Sequence, residues 1–235
     1  MRWHVAILGL PLAMAACQGG GCPRVPAPEP GPEHRALLDP AAEGVRVAPP
    51  DTFDVHFVTS AGELTVRIFR EWAPVGAYRF YNLVRNGYYD GNRFYRVIPG
   101  FAAQFGAHGV PEVNRIWHEA TIPDDPVRVS NERGTITFAA AGPDTRAAQV
   151  FINLQTNEGL DPLGFVPMGR VTEGMGTLLA LYGEYGDFPP QGAGPDYGCM
   201  MEKGNAYLDA RFGRLDSIME ARIVREAPGS REDAP

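Results

Sequence analysis

The sequence predicts a mainly β domain whose short strands form a closed antiparallel barrel with a helix at each end. Hydrophobic and polar residues alternate, with the two-residue period of half-buried strands, in many short runs along the 235-residue chain. Only two segments have the three-to-four-residue hydrophobic spacing of an amphipathic helix. Turn-forming glycines and prolines separate the runs, which favours antiparallel neighbours. Periodicity alone does not separate this barrel from a β-sandwich, so both architectures fit the pattern.

The first two strands form the clearest hairpin in the sequence. Phe53 and Val55 alternate with polar residues in the run 51–60, and a second alternating run at 63–70 follows the turn at Gly62. One face of each run is therefore expected to be buried. Further strands are predicted in the run that begins at Phe94 and at 134–141, 149–154, 165–171 and 217–225.

Two helices are predicted from hydrophobic spacing and from the residues at their ends. Pro74 suits the first turn of a helix, and Gly87 suits the position after its last turn. The hydrophobic residues between these ends fall on one helical face. The two hydrophobic stripes are Ala77, Phe80, Tyr81 and Val84, and Met175, Leu178, Leu179 and Tyr182.

The first residues predict an export signal that ends in a lipidated cysteine. A positive start precedes the apolar run 5–16, which is too short for a stable membrane-spanning helix. Small residues end the run and lead into Cys17, a pattern that resembles the lipobox of bacterial lipoproteins. In that class the cysteine carries lipid and begins the mature chain, which is held at the inner or outer membrane. An ordinary cleaved signal peptide, which leaves a soluble periplasmic or secreted chain, is the alternative.

These features divide the chain into four parts. Residues 1–16 form the signal peptide, and residues 17–50 form a flexible tether, because this Pro- and Gly-rich segment has no sustained hydrophobic period with which to fold. Residues 51–227 form the folded domain, and residues 228–235 form a disordered tail. Within the domain, the Gly- and Pro-rich stretch 183–204 is expected to be an ordered excursion, either a bare loop or a distinct edge or partner surface.

Charge and cysteine content limit the partners of this chain. The net charge of −7 and the pI of about 5.3 argue against nucleic acid as a partner. If Cys17 carries lipid, then Cys22 and Cys199 remain. A disulfide between them in an oxidising compartment and two separate thiols both fit the sequence.

The motifs of several catalytic classes are absent from the sequence. The histidines do not pair at metal-ligand spacing, and there is neither a Gly-x-Ser-x-Gly turn nor a phosphate-binding loop. The acidic pair Asp124-Asp125 is expected in a solvated loop. No metal or cofactor is therefore predicted, and any catalysis by this chain must use positioning and electrostatics.

One run combines a permanent cation with aromatic rings. Arg96 lies in the sequence Phe-Tyr-Arg-Val-Ile-Pro-Gly-Phe at 94–101. An exposed arginine beside rings suits a substrate that has both an apolar ring and a carbonyl, as a prolyl peptide does. The run resembles the Phe-His-Arg-x-Ile-x-Gly-Phe signature of the cyclophilins, which are prolyl cis–trans isomerases. Segments similar to other motifs of that family follow in the same order at 104–106, 139–145, 149–152, 160–161 and 169–175.

The resemblance covers about 54–224 and implies both a fold and a set of site residues. The implied fold is an eight-stranded antiparallel barrel with a helix at each end. Arg96 is implied to be the catalytic arginine, and Gln104 the amide that holds the substrate carbonyl. The other implied substrate-binding residues are Phe101, Phe151 and Leu160 as walls of the proline pocket, Ala139 and Gln149 in the groove for the preceding side chain, and Ala102, Phe165 and Ala140 where the family often has Met, His and Asn.

Two departures from the family pattern bear on ligand binding. Ala102 removes a contact from the pocket wall, which predicts weaker substrate binding. Gly159 stands where many cyclophilins have a tryptophan that is linked in the family to cyclosporin binding.

Two functions fit these residues. The first is a monomeric isomerase that assists the folding of exported proteins, binds unfolded proline-containing chains and touches the membrane only through its lipid. The second is a cyclophilin-like binding module for proline-containing segments with little turnover. The small side chain of Ala102 favours the second function, whereas the presence of Arg96, Phe101, Gln104 and Phe151 favours the first.

Overall fold

A single antiparallel sheet forms the body of the protein. The computed structural model describes residues 22–227, so the signal peptide, Cys17 and the tail at 228–235 lie outside the described residues. The strands are β1 (Thr52–Thr59), β2 (Gly62–Phe69), β3 (Arg96–Ile98), β4 (Ala102–Phe105), β5 (Thr135–Phe138), β6 (Val150–Asn153), β7 (Pro167–Glu173) and β8 (Ile218–Ala227). They lie in the order β3-β4-β6-β5-β7-β2-β1-β8.

The hairpin of β1 and β2 shows why the alternating runs become strands. Phe53 and Val55 are fully buried on one face of β1, opposite Ile68 and Val66 of β2. Gly62 follows the turn with φ of +129°, a conformation that favours glycine because it has no Cβ. Burial of the apolar face thus sets the register of this pair.

The segment just before β3 is hydrogen-bonded to the chain around the start of β8, for example from the Phe94 N–H to the Asp216 carbonyl over 2.9 Å. Arg93 and Ser217 form an isolated antiparallel bridge, and in the described part of the chain no continuous ladder joins the two edge strands, β3 and β8. The outer edge of β3 is instead covered by the excursion, because Val97 bridges to Gly186. The prediction of eight antiparallel strands is confirmed. The sheet is curled, and the continuous closure that was predicted for the barrel is not confirmed.

Five α-helices occur within residues 22–227, where two were predicted. The two predicted helices are α1 and α3. The sequence pattern missed α2, in which Pro111 begins the helix and Val113 and Trp117 are buried. The helices are α1 (Pro74–Arg85), α2 (Pro111–Glu119), α3 (Met175–Ala180), α4 (Tyr197–Lys203) and α5 (Asn205–Arg211).

Residues 22–50 pack on the domain, so the structure corrects the flexible tether expected across 17–50. Leu37 is 1% exposed within the main core, and its carbonyl accepts a hydrogen bond from the Trp117 indole over 2.8 Å. The Asn82 amide exchanges two hydrogen bonds of 2.8 Å with the backbone of Val47. A few apolar residues held by side-chain bonds therefore order a segment that has no hydrophobic period.

The excursion at 183–204 is ordered and contains α4. Its Cys199 forms a disulfide with Cys22, with the two Cα atoms 5.3 Å apart. The bond therefore joins the start of the described chain to the excursion. A second apolar cluster packs beneath it and consists of Tyr95, Ala107, Cys199, Met200, Tyr207, Leu208 and Leu215.

Loss of this disulfide is expected to destabilise the protein. It joins residues 177 positions apart, so it restricts the unfolded chain strongly. Cys199→Ser should lower the free energy of unfolding by about 2–4 kcal/mol in denaturant titrations without reductant. The matched control is the unmodified protein with reductant, which should become as unstable as the variant. Equal stability of the variant and the oxidised unmodified protein would contradict this expectation.

The acidic pair predicted to be solvated is partly buried. The side chain of Asp125 is 3% exposed and lies 3.0 Å from Arg146 Nη1, and the Arg146 side chain is 1% exposed. Asp125 also accepts hydrogen bonds from the N–H groups of Val75 and Gly76 in the first turn of α1. Asp124 Oδ1 lies 3.0 Å from Arg146 Nε, without the geometry of a hydrogen bond. The prediction of a solvated loop was wrong because Arg146 and the start of α1, which these carboxylates contact, are distant from them in sequence.

Candidate active site

The short hairpin of β3 and β4 places two predicted site residues side by side. Arg96 and Gln104 are directly paired in the antiparallel register, and Arg96 Nη1 donates to Gln104 Oε1 over 3.2 Å. The chain reverses between the strands at Gly100, whose φ of +70° favours glycine. The motif that resembles the cyclophilin signature is therefore a strand, a turn and the start of a second strand.

A chain of side-chain hydrogen bonds extends from this pair to Gln149. Gln104 Nε2 donates to Gln149 Oε1 over 3.3 Å, and the Tyr95 hydroxyl donates to the same oxygen over 2.7 Å. Burial raises the pKa of Tyr95 well above its ordinary value, so its hydroxyl keeps the proton that it donates. These bonds orient both amides and use one of the two N–H donors of Gln104.

The remaining predicted residues form an apolar cluster beside this polar chain. The rings of Phe151 and Phe165 meet edge to face, with their centroids 5.8 Å apart. The Arg96 guanidinium carbon lies 5.8 Å from the centroid of the Phe101 ring. The cluster consists of buried Ala102, Phe151, Leu160 and Phe165, against which half-buried Phe101, Ala139 and Ala140 pack.

A polar network supports this cluster. Asp161 accepts hydrogen bonds from Ser130 and from the backbone and side chain of Asn131, and the Asn131 amide also donates to the carbonyl of Phe165. Burial acts to raise the pKa of Asp161, but these hydrogen bonds outweigh it and lower the pKa below its ordinary value. Asp161 is therefore ionised at neutral pH and fixes the loop that presents Leu160.

Arg96 itself is buried, which corrects the exposed arginine expected from the sequence. Its side chain is 6% exposed because Asp187 and Phe188 of the excursion cover it. Asp187 accepts from Arg96 Nε over 2.5 Å and from Nη2 over 3.0 Å. Burial acts to raise the pKa of Asp187, but the bonds and charge of Arg96 and the N–H of Phe188 lower it below its ordinary value.

The structure brings together all of the predicted site residues that it describes, since the polar chain adjoins the apolar cluster where Arg96 lies beside the Phe101 ring and where Gln104 pairs with Phe151 between β4 and β6. The predicted roles of the individual residues stay predictions. Sequence reasoning missed Asp187 and Phe188. The one available signal was the length and the Gly- and Pro-rich composition of the stretch 183–204.

Three comparisons with known proteins bear on this site. The model of the family described as "Cyclophilin type peptidyl-prolyl cis-trans isomerase/CLD" matches residues 54–187. The chain belongs to the cyclophilin family. Like its relatives, this cyclophilin is a peptidyl-prolyl cis–trans isomerase.

Several named relatives of this cyclophilin are isomerases. The chain is 38% identical over 135 residues to peptidyl-prolyl cis-trans isomerase-like 3 of Gibberella zeae. The aligned residues cover 52% of this chain and 79% of the relative. It is 28% identical over 149 residues to a peptidyl-prolyl cis-trans isomerase of Acinetobacter baylyi, covering 58% of this chain and 79% of that one.

Solved structures agree on the fold of this cyclophilin. A cyclophilin type peptidyl-prolyl cis-trans isomerase of Cryptosporidium parvum superposes with a TM-score of 0.56 at 20% identity, covering 75% of this chain and 99% of its own. The same protein, solved in the presence of the dipeptide Ala-Pro, gives a TM-score of 0.55 at 20% identity and covers 74% and 99%.

The described residues contain neither a candidate membrane span nor a candidate metal site. Between residues 22 and 227, no helix has the length and hydrophobicity needed to cross a membrane. In the same range, no group of three or more His, Cys, Asp or Glu side chains is placed to hold a metal ion.

Proposed function

We propose that this cyclophilin isomerises Xaa-Pro bonds of exported proteins at the cell envelope, with Arg96 as the catalytic residue and a single copy of the chain as the active unit. The observation that carries the catalytic part is the position of Arg96, hydrogen-bonded to Gln104 and 5.8 Å from the Phe101 ring at the edge of the apolar cluster. A prolyl ring fits the apolar cluster, and the adjoining carbonyl fits the polar chain.

The proposed mechanism lowers the barrier to rotation without covalent chemistry. Rotation about a peptide bond loses amide resonance and meets a barrier of about 18–20 kcal/mol. In the twisted transition state the prolyl nitrogen regains a lone pair that the planar amide does not offer. An N–H of Arg96 that donates to this lone pair stabilises the transition state alone, so it raises the rate.

The other residues hold the substrate while its amide rotates. Phe101, Phe151 and Leu160 pack around the pyrrolidine ring, and the free N–H of Gln104 donates to the substrate carbonyl. Gln149 lies beside Gln104, where the side chain that precedes the proline would pass. No proton is transferred, so this mechanism requires neither a nucleophile nor a general base.

Exchange NMR on an Xaa-Pro peptide tests this function against the binding-module alternative. The isomerase should accelerate cis–trans exchange of the peptide in proportion to enzyme concentration, whereas a binding module should shift peptide resonances without accelerating exchange. The small side chain of Ala102 in the pocket wall motivates this alternative, since it removes a contact with the ring. Ala102→Met should therefore tighten peptide binding. If the unmodified protein binds the peptide without accelerating its cis–trans exchange, the isomerase mechanism is rejected.

The location at the envelope is supported by the sequence that ends in Cys17. We infer that Cys17 carries more than one acyl chain, because a single chain binds membranes only marginally. Cys17→Ser should abolish incorporation of labelled fatty acid, and Cys199→Ser should retain it as a matched control. A native chain whose mass shows an unlipidated N-terminus would contradict the anchor and leave the catalytic proposal unchanged.

Weak inhibition by cyclosporin is expected for this protein. Gly159 is exposed and offers neither the contact area nor the indole donor of the tryptophan found in many relatives. A Cβ at Gly159 would have no heavy atom within 4 Å, so Gly159→Trp should fold normally. This variant should strengthen cyclosporin inhibition at least 10-fold, which corresponds to about 1.4 kcal/mol of binding free energy. Gly44→Trp, at an equally open glycine outside the site, is the control. Tight inhibition of the unmodified protein in the same titration would refute this expectation.

A further inference from the structure

A carboxylate outside the cyclophilin-like motifs contacts the catalytic arginine at two points. Asp187 accepts from Arg96 Nε over 2.5 Å and from Nη2 over 3.0 Å. Two parallel bonds of this kind fix the plane of a guanidinium as well as its position. We propose that Asp187 is a positioning residue that holds Arg96 in the orientation from which it donates to the substrate amide.

The hydrogen bonds of Arg96 leave donors for the substrate. A guanidinium has five N–H donors in a fixed fork. Asp187 accepts two of them and Gln104 accepts one, so two remain. Because both partners hold the same plane, the remaining donors point in a fixed direction before the substrate arrives.

The fold places Asp187 opposite Arg96 by strand register. Val97 of β3 bridges to Gly186 in an antiparallel sense, so the next pair along this register is Arg96 with Asp187. The Asp187 carbonyl accepts from the Gly194 N–H over 2.9 Å. A Cβ at Gly194 would lie 2.7 Å from that carbonyl oxygen, so this close approach requires a glycine.

The environment of the pair gives Asp187 a second effect on the arginine. The Arg96 side chain is 6% exposed, and an unpaired cation buried to this extent is strongly unfavourable. Asp187 supplies the balancing charge and lets the excursion cover Arg96. The substrate therefore meets a neutral pair with directed N–H groups, which suits an uncharged amide.

An opposite role for Asp187 predicts the opposite experimental result. If its carboxylate occupied the place of a substrate carbonyl, it would compete with the peptide for Arg96. Removal of the carboxylate would then increase activity, whereas removal of a positioning residue decreases it.

Peptide-exchange NMR on Asp187→Asn and Asp187→Ala separates these roles. Both variants should lower the exchange rate of the bound peptide, by at least fivefold for Asp187→Ala and by less for Asp187→Asn, which keeps one acceptor. The peptide Kd should change less than twofold. Asp209→Asn is the matched control, because Asp209 pairs with Arg93 through the same two nitrogen types on the exposed surface.

A double-variant cycle tests whether Asp187 acts through Arg96. If it does, then Asp187→Asn should have no further effect on the rate when Arg96 is already alanine. An additive effect, an unchanged rate in Asp187→Ala, or a faster rate would each overturn the positioning role. The inference rests on the proposed isomerase function, so the unmodified protein is measured in the same series. Absence of exchange with the unmodified protein would overturn the function itself, and with it this inference.

Discussion

Arg96→Ala is expected to lower kcat/KM for Xaa-Pro isomerisation at least 10-fold while leaving the fold intact. Loss of about 1.4 kcal/mol of transition-state stabilisation is enough for that factor. Arg96→Lys should restore little activity, because an ammonium group cannot reproduce the planar fork held by Gln104 and Asp187. The measurement is peptide exchange by NMR at several peptide concentrations.

Arg93→Ala is the matched control for this experiment. Arg93 lies three residues before Arg96 and also donates from Nε and Nη2 to an aspartate, Asp209, whose side chain is exposed. Its removal should leave kcat/KM within twofold of the unmodified value. Unchanged kcat/KM in a folded Arg96→Ala variant would remove this arginine from the mechanism.

Asp125→Ala is expected to destabilise the fold strongly. It leaves the buried Arg146 without the carboxylate to which it donates a hydrogen bond, and the first turn of α1 without two acceptors. Removal of one partner of a buried ion pair costs about 3–5 kcal/mol. Asp124 remains near Arg146, so a loss near the lower limit, about 3 kcal/mol, is expected in urea titrations.

An exposed ion pair provides the comparison for that loss. Glu119 pairs with Arg115 one helical turn away in α2, with both side chains more than half exposed. Glu119→Ala should therefore change the free energy of unfolding by less than about 0.5 kcal/mol. Asp125→Asn keeps one acceptor for α1, so its loss in the free energy of unfolding should lie between those of Asp125→Ala and Glu119→Ala. A stability of Asp125→Ala within about 1 kcal/mol of the unmodified protein would show that Arg146 is satisfied without Asp125.

The strands were predictable because local patterns determine them, whereas the candidate site residues were inferred from the resemblance to the cyclophilins. Phe53 and Val55 alternate with polar residues whatever strand lies beside them, so the period alone indicates their burial. The hairpin that pairs Arg96 with Gln104 needs only a short turn between two adjacent strands. Because such contacts are close in sequence, the local pattern is enough to place them.

The contacts that sequence analysis missed join residues that are far apart in the chain. Asp187 meets Arg96 across 91 residues, and Asp125 meets the start of α1 across about 50. Before folding, each of these aspartates lies in a polar or Gly-rich stretch that resembles a solvated loop. Leu37 was missed for a similar reason, since one buried side chain in a Pro-rich segment makes no periodic pattern.

If Cys17 carries lipid as proposed, the bond between Cys22 and Cys199 limits the distance between the active site and that lipid. A flexible segment running from 17 to 50 would have an average span of about 30 Å. With Cys22 bonded to the excursion, only five peptide units separate the anchor from the folded body, and these reach at most about 18 Å when fully extended. An enzyme anchored in this way would therefore act on substrate chains close to the bilayer surface.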